Sequence, residues 1–596
     1  MEEVNRKMGV VNGAQLVVRA LQNEKVKVIF TLCGDDDLIY NYCEDAGIRL
    51  IDFRHEQATG HAAQGWSIAT GEVGVCLVQS GPGVTDLAPA ITVAYQECIP
   101  VVALATHTPL MDFEKLTVNE FDAAKMFSSF TKWSGYCYET PRLPEYINMA
   151  FRIAAGGRPG PVLLNIPVDV LVKECDESLD CIENAFHPRE KNRTMIRPHG
   201  DPEAVKRALK LLLDAERPLI ILGSGAGFAD AGEEAKEFVE YTKIPVGAWG
   251  WGQGLIPDDH PLCFGLASIL AGPGQMMLPA ADVVLAVGLR YTDLFGYGQP
   301  PFFAPGVKVI QVDIHAEEIG RNRPIDVGIV GDAKAVLSQF NKYARELLSE
   351  PREESEWVLK MREEKQKFEE SLAQEGSSDD VPIKPQRLCK DIREFMPRDG
   401  IIILDGGDTT VWGLMYLRAY YPKHLYFSGG LFIQHLGGGV PMAIAAKAAN
   451  PDKKVLVLTG DGSFLFNGKE IDTARRHDLP FVTVIANDCQ WGMVARIQKL
   501  AYGPKFYGLA SKLSSKTRYD KYAEAFDCYG ELVTDPDEIK SALERAFDSG
   551  VPAVLDVRID PEVETILDYV WAGSYNPETF ERKPKEKTPE ITTPTQ

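Results

Sequence analysis

The stretch KVLVLTGDGSFLFNGKEIDTARRHDLPFVTVIANDCQWG, residues 454 to 492, holds two apolar, β-branched runs separated by an interval of helical composition. The first run ends in Gly460-Asp461-Gly462-Ser463, the second in Asn487-Asp488 before Cys489-Gln490-Trp491-Gly492. This pattern predicts a β-α-β unit. Glycines at a strand-to-helix turn let backbone N–H groups approach a phosphate, and the helix behind them presents its positive end. Asp461, between two glycines, is placed to hold a divalent cation against that phosphate. Taken alone, GDGS is also an ordinary turn, and Asn and Asp are common where a strand gives way to a loop. The spacing decides between these readings. From Asp461 to Asp488 there is room for one crossover helix, Gly468 to His477, and the next parallel strand. Both residues then reach the carboxyl ends of adjacent strands, where α/β sheets bind ligands. Oxygen donors meeting there, with little His or Cys nearby, suit magnesium or calcium better than zinc.

The same alternation runs outward through the chain. Strand-like runs at 73 to 79, 100 to 106, 218 to 224, 282 to 288, 308 to 314, 400 to 406 and 553 to 559 alternate with amphipathic segments, the pattern of parallel α/β sheets. Two composition shifts divide the series: a polar segment from Lys173 to about Pro202, and a charged stretch from Arg345 to Pro385 read as a surface helix and a linker. Three α/β domains are expected, over 1 to 190, 191 to 370 and 371 to 560, with a polar tail over 561 to 596. At 596 residues the chain is too long for one core. Its formal charge of -22 argues against a nucleic-acid partner, which requires clustered Lys and Arg. The 11 Cys are scattered without a CxxC pair, the usage of a reducing compartment. No signal peptide or long apolar run is present, so no membrane partner and a cytoplasmic location are expected.

With these motifs on the page, the sequence resembles the thiamine-diphosphate-dependent enzymes, whose fingerprint is GDG, a spacer of this length, and an Asn-Asn or Asn-Asp pair. The resemblance implies their fold of pyrimidine-binding, central and diphosphate-binding domains. It implies magnesium held by Asp461, Asp488 and the main-chain carbonyl of Gln490, with Gly460, Gly462 and Ser463 around the diphosphate. Most members carry Asn where Asp488 stands. The segment RHEQATGHAA (54 to 63) matches the family's RHE-x-x-x-x-HAA pattern and assigns Glu56 as the carboxylate that activates the aminopyrimidine. Ser80-Gly81-Pro82-Gly83 matches a glycine-rich turn, which puts Pro82 at the cofactor. GRPGPVLLNIPVDV (157 to 170) matches the end of the N-terminal domain. LFIQHLGGGVPMAIAAKAA (431 to 449) matches the segment that grips the pyrimidine, with Leu436 as the apolar support and the Gln434 carbonyl as acceptor. The family pairs Glu56 with Asp461 across subunits, so a homodimer is the minimum active unit and a homotetramer the expected assembly.

The match runs from Gly13 to about Asp560, with the domain order of the acetolactate synthase, benzaldehyde lyase and 2-hydroxyacyl-CoA lyase group. Residues 309 to 333 resemble a central-domain segment that binds a nucleotide such as ADP in some relatives and nothing in others. Val118-Asn119-Glu120 in place of the synthase Phe-Gln-Glu, and Leu436 in place of its Met, weigh against acetolactate synthase. No intact flavin-contacting pattern is found at 288 to 293. The FTL-x-G segment (30 to 34), Asp405-Gly406-Gly407-Asp408 and Trp491 resemble the 2-hydroxyacyl-CoA lyases. QKLAYGP (498 to 504) resembles benzaldehyde lyase, although Cys33 stands where that enzyme has its active-site His. The expected reaction is reversible cleavage of a 2-hydroxyacyl-CoA, or a related 2-hydroxy carbonyl compound, into an aldehyde or ketone and formyl-CoA. The alternatives are acetolactate-type condensation of 2-keto acids and acyloin cleavage; a catalytically silent regulatory subunit is the reading from a different class. Candidates around the reacting carbon are Cys33, Asp36, Asn119, Glu120, His435 and Gln490. The apolar residues from Ile566 to Phe580 predict a lid over 561 to about 582, with Lys583, Lys585 and Lys587 available to an anionic substrate, or else a strap between subunits.

Overall fold

A computed structural model describes residues 9–34, 37–177, 185–193, 197–268, 272–430 and 432–574. Three six-stranded sheets, parallel throughout, follow one another along the chain, with helices on their faces. The N-terminal sheet has the spatial order Arg49–Asp52, Val28–Thr31, Gly74–Val78, Val101–His107, Val162–Pro167, Trp133–Tyr136. The central sheet has the order Cys263–Leu266, Val246–Ala248, Pro218–Leu222, Val283–Val287, Lys308–Asp313, Val327–Val330. In the third sheet the order is Leu425–Phe427, Ile401–Asp405, Val455–Gly460, Val482–Asn487, Ala553–Arg558, Tyr529–Val533. A short antiparallel pair, Val10–Asn12 with Glu174–Asp176, ties the start of the first domain to its end.

Strands covered on both faces need no polar alternation, which explains the continuous apolar runs. Val101–His107 and Val482–Asn487 are buried at every position. The charged stretch after Arg345 contains the helix Glu356–Glu375, capped by the Ser355 side chain on the Val358 amide. It is less superficial than its composition suggests, because Trp357, Val358, Met361 and Leu372 are buried. The crossover after Val455–Gly460 also differs from the expected single helix. Helix starts at Asp461 and runs to Asn467, tightens into a 3-10 turn over Gly468–Glu470, and resumes over Ile471–Arg476. A Cβ at Gly468 would lie 2.8 Å from the Phe464 ring, so a larger residue there must displace that ring.

The first and third domains share a core. Helix Glu56–Thr70 lies on helix Gly439–Ala449, and Ala58, Ala62 and Ala63 pack in one cluster with Val440, Met442 and Ala443. A Cβ at Gly65 would come within 2.8 Å of the Met442 Cα, which fixes how closely the helices approach. Just before Glu56, the Arg54 amide donates to both Glu470 oxygens at 3.1 and 3.2 Å, and Asp52 bonds His477 at 2.8 Å. No described helix is long and apolar enough to cross a membrane.

Candidate active site

The carboxyl ends of the third sheet are braced by Asp405, which is 1% exposed. Its carboxylate accepts from Ser463 Oγ at 2.7 Å, from the Gly437 amide at 3.0 Å and from the Gly439 amide at 3.2 Å. One side chain thus ties the GDGS turn to the segment expected to grip a pyrimidine. Burial raises the Asp405 pKa against the effect of these donors. Gln434 takes a left-handed φ of 55° at the turn before Leu436.

Of the Asn-Asp pair, only the aspartate faces the cavity. Asn487 Nδ2 donates to Asp556 at 2.7 Å, and Asn487 Oδ1 accepts from the Cys489 amide at 3.1 Å. These bonds turn the chain at the strand end and aim Asp488 at Asp461. Burial, and then the facing Asp488, push the Asp461 carboxyl up to about 8. Two buried carboxylates in contact are stable only if they share a proton or a cation. Gln490 is buried with its side chain on Asp488, and its main-chain carbonyl is the third oxygen that the family resemblance assigns to the cation. Hard oxygen donors of this kind fit Mg2+.

Behind Asp488 lies a cluster not legible in the motifs. Arg496, 3% exposed, donates from Nε to Asp408 at 3.0 Å and approaches Asp488 at 3.3 Å and Asp568 at 3.4 Å. Burial works against the guanidinium charge, but Asp408 and Asp488 outweigh it and raise its pKa. Asp408, Asp488 and Asp568 set three carboxylates around one guanidinium, and Asp461 faces Asp488 beyond them. Carboxylates this crowded again call for a shared proton or a cation. A cavity of about 240 Å³ opens here, lined by Gln434, Leu436, Gly460 to Ser463, Asp488, Gln490 and, on its apolar side, Trp249, Met493, Leu567 and Trp571. A Cβ at Gly462 would lie 2.7 Å from the Trp491 ring.

The remaining candidates lie outside this cavity, and all but His435 belong to the first domain. Glu56 opens the helix Glu56–Thr70, and a Cβ at Gly83, next to Pro82, would stand 3.3 Å from its Oε1. Asn119 adopts a φ of 67° and lies against Gly81, where a Cβ would be 2.7 Å away. Glu56, Pro82 and Asn119 therefore gather at one edge, and Cys33 is exposed in the loop after Val28–Thr31. Glu120 is turned onto its own loop: amides of Thr117 and Glu114 donate to it and lower its pKa. His435 stands 5.1 Å from His61 between ring centres, and burial lowers the pKa of both. Asp36 lies outside the described residues.

In the central domain, Glu318 pairs with Arg158 at 3.1 Å and with Arg321 at 2.9 Å, while Asp313 accepts from the His315 amide. Glu318 and Asp313 thus have partners within the protein, and nothing in the comparisons supports the nucleotide, such as ADP, that this segment binds in some relatives. At the C-terminus, Ile566–Ser574 forms a helix whose Leu567 and Trp571 line the cavity. Tyr575, Phe580, Lys583, Lys585 and Lys587 lie outside the described residues.

Three family profiles match the chain. They are the thiamine pyrophosphate enzyme N-terminal domain over residues 11–126, central domain over 205–340, and C-terminal binding domain over 405–557. A probable acetolactate synthase large subunit of Methanocaldococcus jannaschii is 36% identical over 558 residues, 92% of each chain. Acetolactate synthase isozyme 2 large subunit of Escherichia coli is 30% identical over 573 residues, 96% of this chain and 100% of that one. These relatives overturn the 2-hydroxyacyl-CoA lyase reading, and nothing in the comparisons supports a CoA thioester. The structure explains the misreading. Asp405, Asp408 and Trp491, taken as lyase signals, are a brace, an ion-pair partner and a ring packed on Gly462. They carry scaffold geometry rather than substrate chemistry. The chain belongs to the thiamine pyrophosphate enzyme family, in the group that contains the acetolactate synthases.

Proposed function

We propose that the protein condenses two 2-keto acids with loss of carbon dioxide, as its acetolactate synthase relatives are named for doing. The identity to these relatives over nearly the whole chain carries this reading, and the Asp461–Asp488 pair beside a cavity at the sheet's carboxyl edge supports its cofactor. Asp461, Asp488 and the Gln490 carbonyl hold Mg2+, and the Gly460 to Ser463 turn faces the diphosphate. Thiamine diphosphate, when bound, would supply a carbon nucleophile once its C–H proton is removed, and an electron sink for decarboxylation. Glu56, presented by a second copy of the chain, holds a proton toward the ring nitrogen of the pyrimidine. Leu436 and Gln434 orient that ring.

A dimer is part of the reading because each half-site is bordered by exposed apolar groups. Leu116 and Val118, 97% and 82% exposed, flank Asn119; Leu465 and Phe466, 51% and 44% exposed, follow Ser463. Apolar groups this exposed call for a covering surface, and closure excludes water from a reactive carbanion. The test is incubation of the full chain with pyruvate, Mg2+ and thiamine diphosphate. Acetolactate and carbon dioxide in equal amounts are expected. Cofactor binding without acetolactate formation would refute the assignment.

A further inference from the structure

Asp488 faces Asp461 and lines the cavity, while its Oδ2 is held from behind. Asp488 Oδ2 is approached by Arg496 Nη1 at 3.3 Å and by Gln490 Nε2 at 3.4 Å. The same two donors reach the main-chain carbonyl of Pro561, at 2.6 Å from Arg496 and 3.1 Å from Gln490. Pro561 begins the C-terminal segment, and that segment returns to the cluster twice more: Asp568 meets Arg496 Nε at 3.4 Å, and Thr565 Oγ1 bonds Asp408 at 3.3 Å. The fit is close enough to demand glycine at 492, where a Cβ would lie 2.2 Å from Arg496 Nη2 and 2.3 Å from Asp488 Oδ2.

We propose that Arg496 and Gln490 are positioning residues that form a clip: they orient Asp488 for the cation and fasten the segment 561–574 to the same site. The inference rests on the cofactor reading above. Asp408 and Asp568 offset the guanidinium charge, so the effect of Arg496 on a neighbouring cation is orientation more than repulsion. Groups that orient a metal-binding carboxylate typically alter affinity about 10–100-fold when removed. Because one set of bonds serves both tasks, cation binding and segment docking must be linked, each strengthening the other by the same factor.

The test uses the full-length protein with Mg2+ and thiamine diphosphate as probes. Mg2+ affinity is read by calorimetry, and docking by hydrogen exchange of the peptide covering 561–574. In the wild type, loading is expected to slow exchange in that peptide. Arg496→Gln is expected to lose this response and to bind Mg2+ about 10-fold more weakly. Arg496→Lys, which keeps the charge without the planar fork, should fall between. If Arg496→Gln does not fold, Asp568→Asn, on the far side of the clip, should weaken both Mg2+ binding and loading-induced protection; a purely structural strap would leave Mg2+ affinity unchanged. A wild type that binds no Mg2+ overturns the cofactor reading and the clip together. A wild type that binds both probes with no change at 561–574 overturns the clip alone.

Discussion

The first and third domains are built on the same sheet. Numbering strands along each domain, both have the spatial order 2-1-3-4-6-5, whereas the central domain has 3-2-1-4-5-6. Their carboxyl edges nevertheless differ in chemistry. The third sheet buries Asp405, Asp408 and Asp461 there, with Asp488 facing Asp461 and Arg496 pairing with Asp408 and Asp488. The first presents Glu56 near glycines and an Asn, half-buried and facing a surface with exposed Leu116 and Val118. One topology thus gives two different half-sites: a closed, charge-dense one suited to a cation and a diphosphate, and an open one that becomes enclosed when covered. Fold fixes where a ligand sits; the side chains at the strand ends fix which part of it.

Substitutions in the two halves should therefore fail differently. Asp461→Asn removes a donor of the closed half, and Mg2+-dependent cofactor binding measured by calorimetry should be lost, with activity down at least about 10³-fold. Glu56→Gln strikes the open half. It should bind the cofactor normally while turnover falls on the order of 10²–10⁴-fold, and NMR should show slowed exchange of the thiazolium proton. If both variants lose binding equally, the division between halves fails.

Gly492→Ala should produce a smaller effect confined to the closed half. Its Cβ must displace Arg496 or Asp488, at a cost of about 1–3 kcal/mol in denaturant-measured stability together with weaker Mg2+ binding. The smallest effect concerns the seam between the domains. Glu470, fully buried, accepts from the Arg54 amide and from Thr473, and burial pushes its pKa from 4.5 up to about 7. The folded state then binds more protons than the unfolded chain between those values, so stability should fall as pH rises from about 4.5 to about 7 and level off above. Glu470→Gln should remove up to about one proton's worth of that slope in melts across this range. An unchanged slope would show that the seam does not titrate.

The elements that were legible in the sequence are those whose signal is local. The runs at 454 to 460 and 481 to 487 are strands, the GDGS turn joins strand to helix, and Glu56 starts a helix where its sequence neighbours suggest. What escaped depends on partners far apart in the chain. Asn487 reads as an oxygen donor, yet its amide is committed to Asp556; Gln490 reads as catalytic, yet its side chain is committed to Asp488, Tyr507 and Pro561. Arg496 had one usable signal, a cation one turn into the helix Gly492–Tyr502, whose side chain points back toward the helix start. Its meeting with Asp408 and Asp568 is a property of the fold alone. The substrate class was misread because Asp405, Asp408 and Trp491 resemble a neighbouring branch while serving the scaffold that both branches share.

The most direct test of complementary half-sites is to coexpress Glu56→Gln with Asp461→Asn and assay acetolactate formation from pyruvate. Each variant alone should be nearly inactive. In mixed dimers one of the two sites regains both wild-type halves, so random pairing of equal amounts should restore about a quarter of wild-type activity. Mixed dimers no more active than the single variants would contradict the account, since the Glu56 and Asp461 halves would then not meet across two copies of the chain.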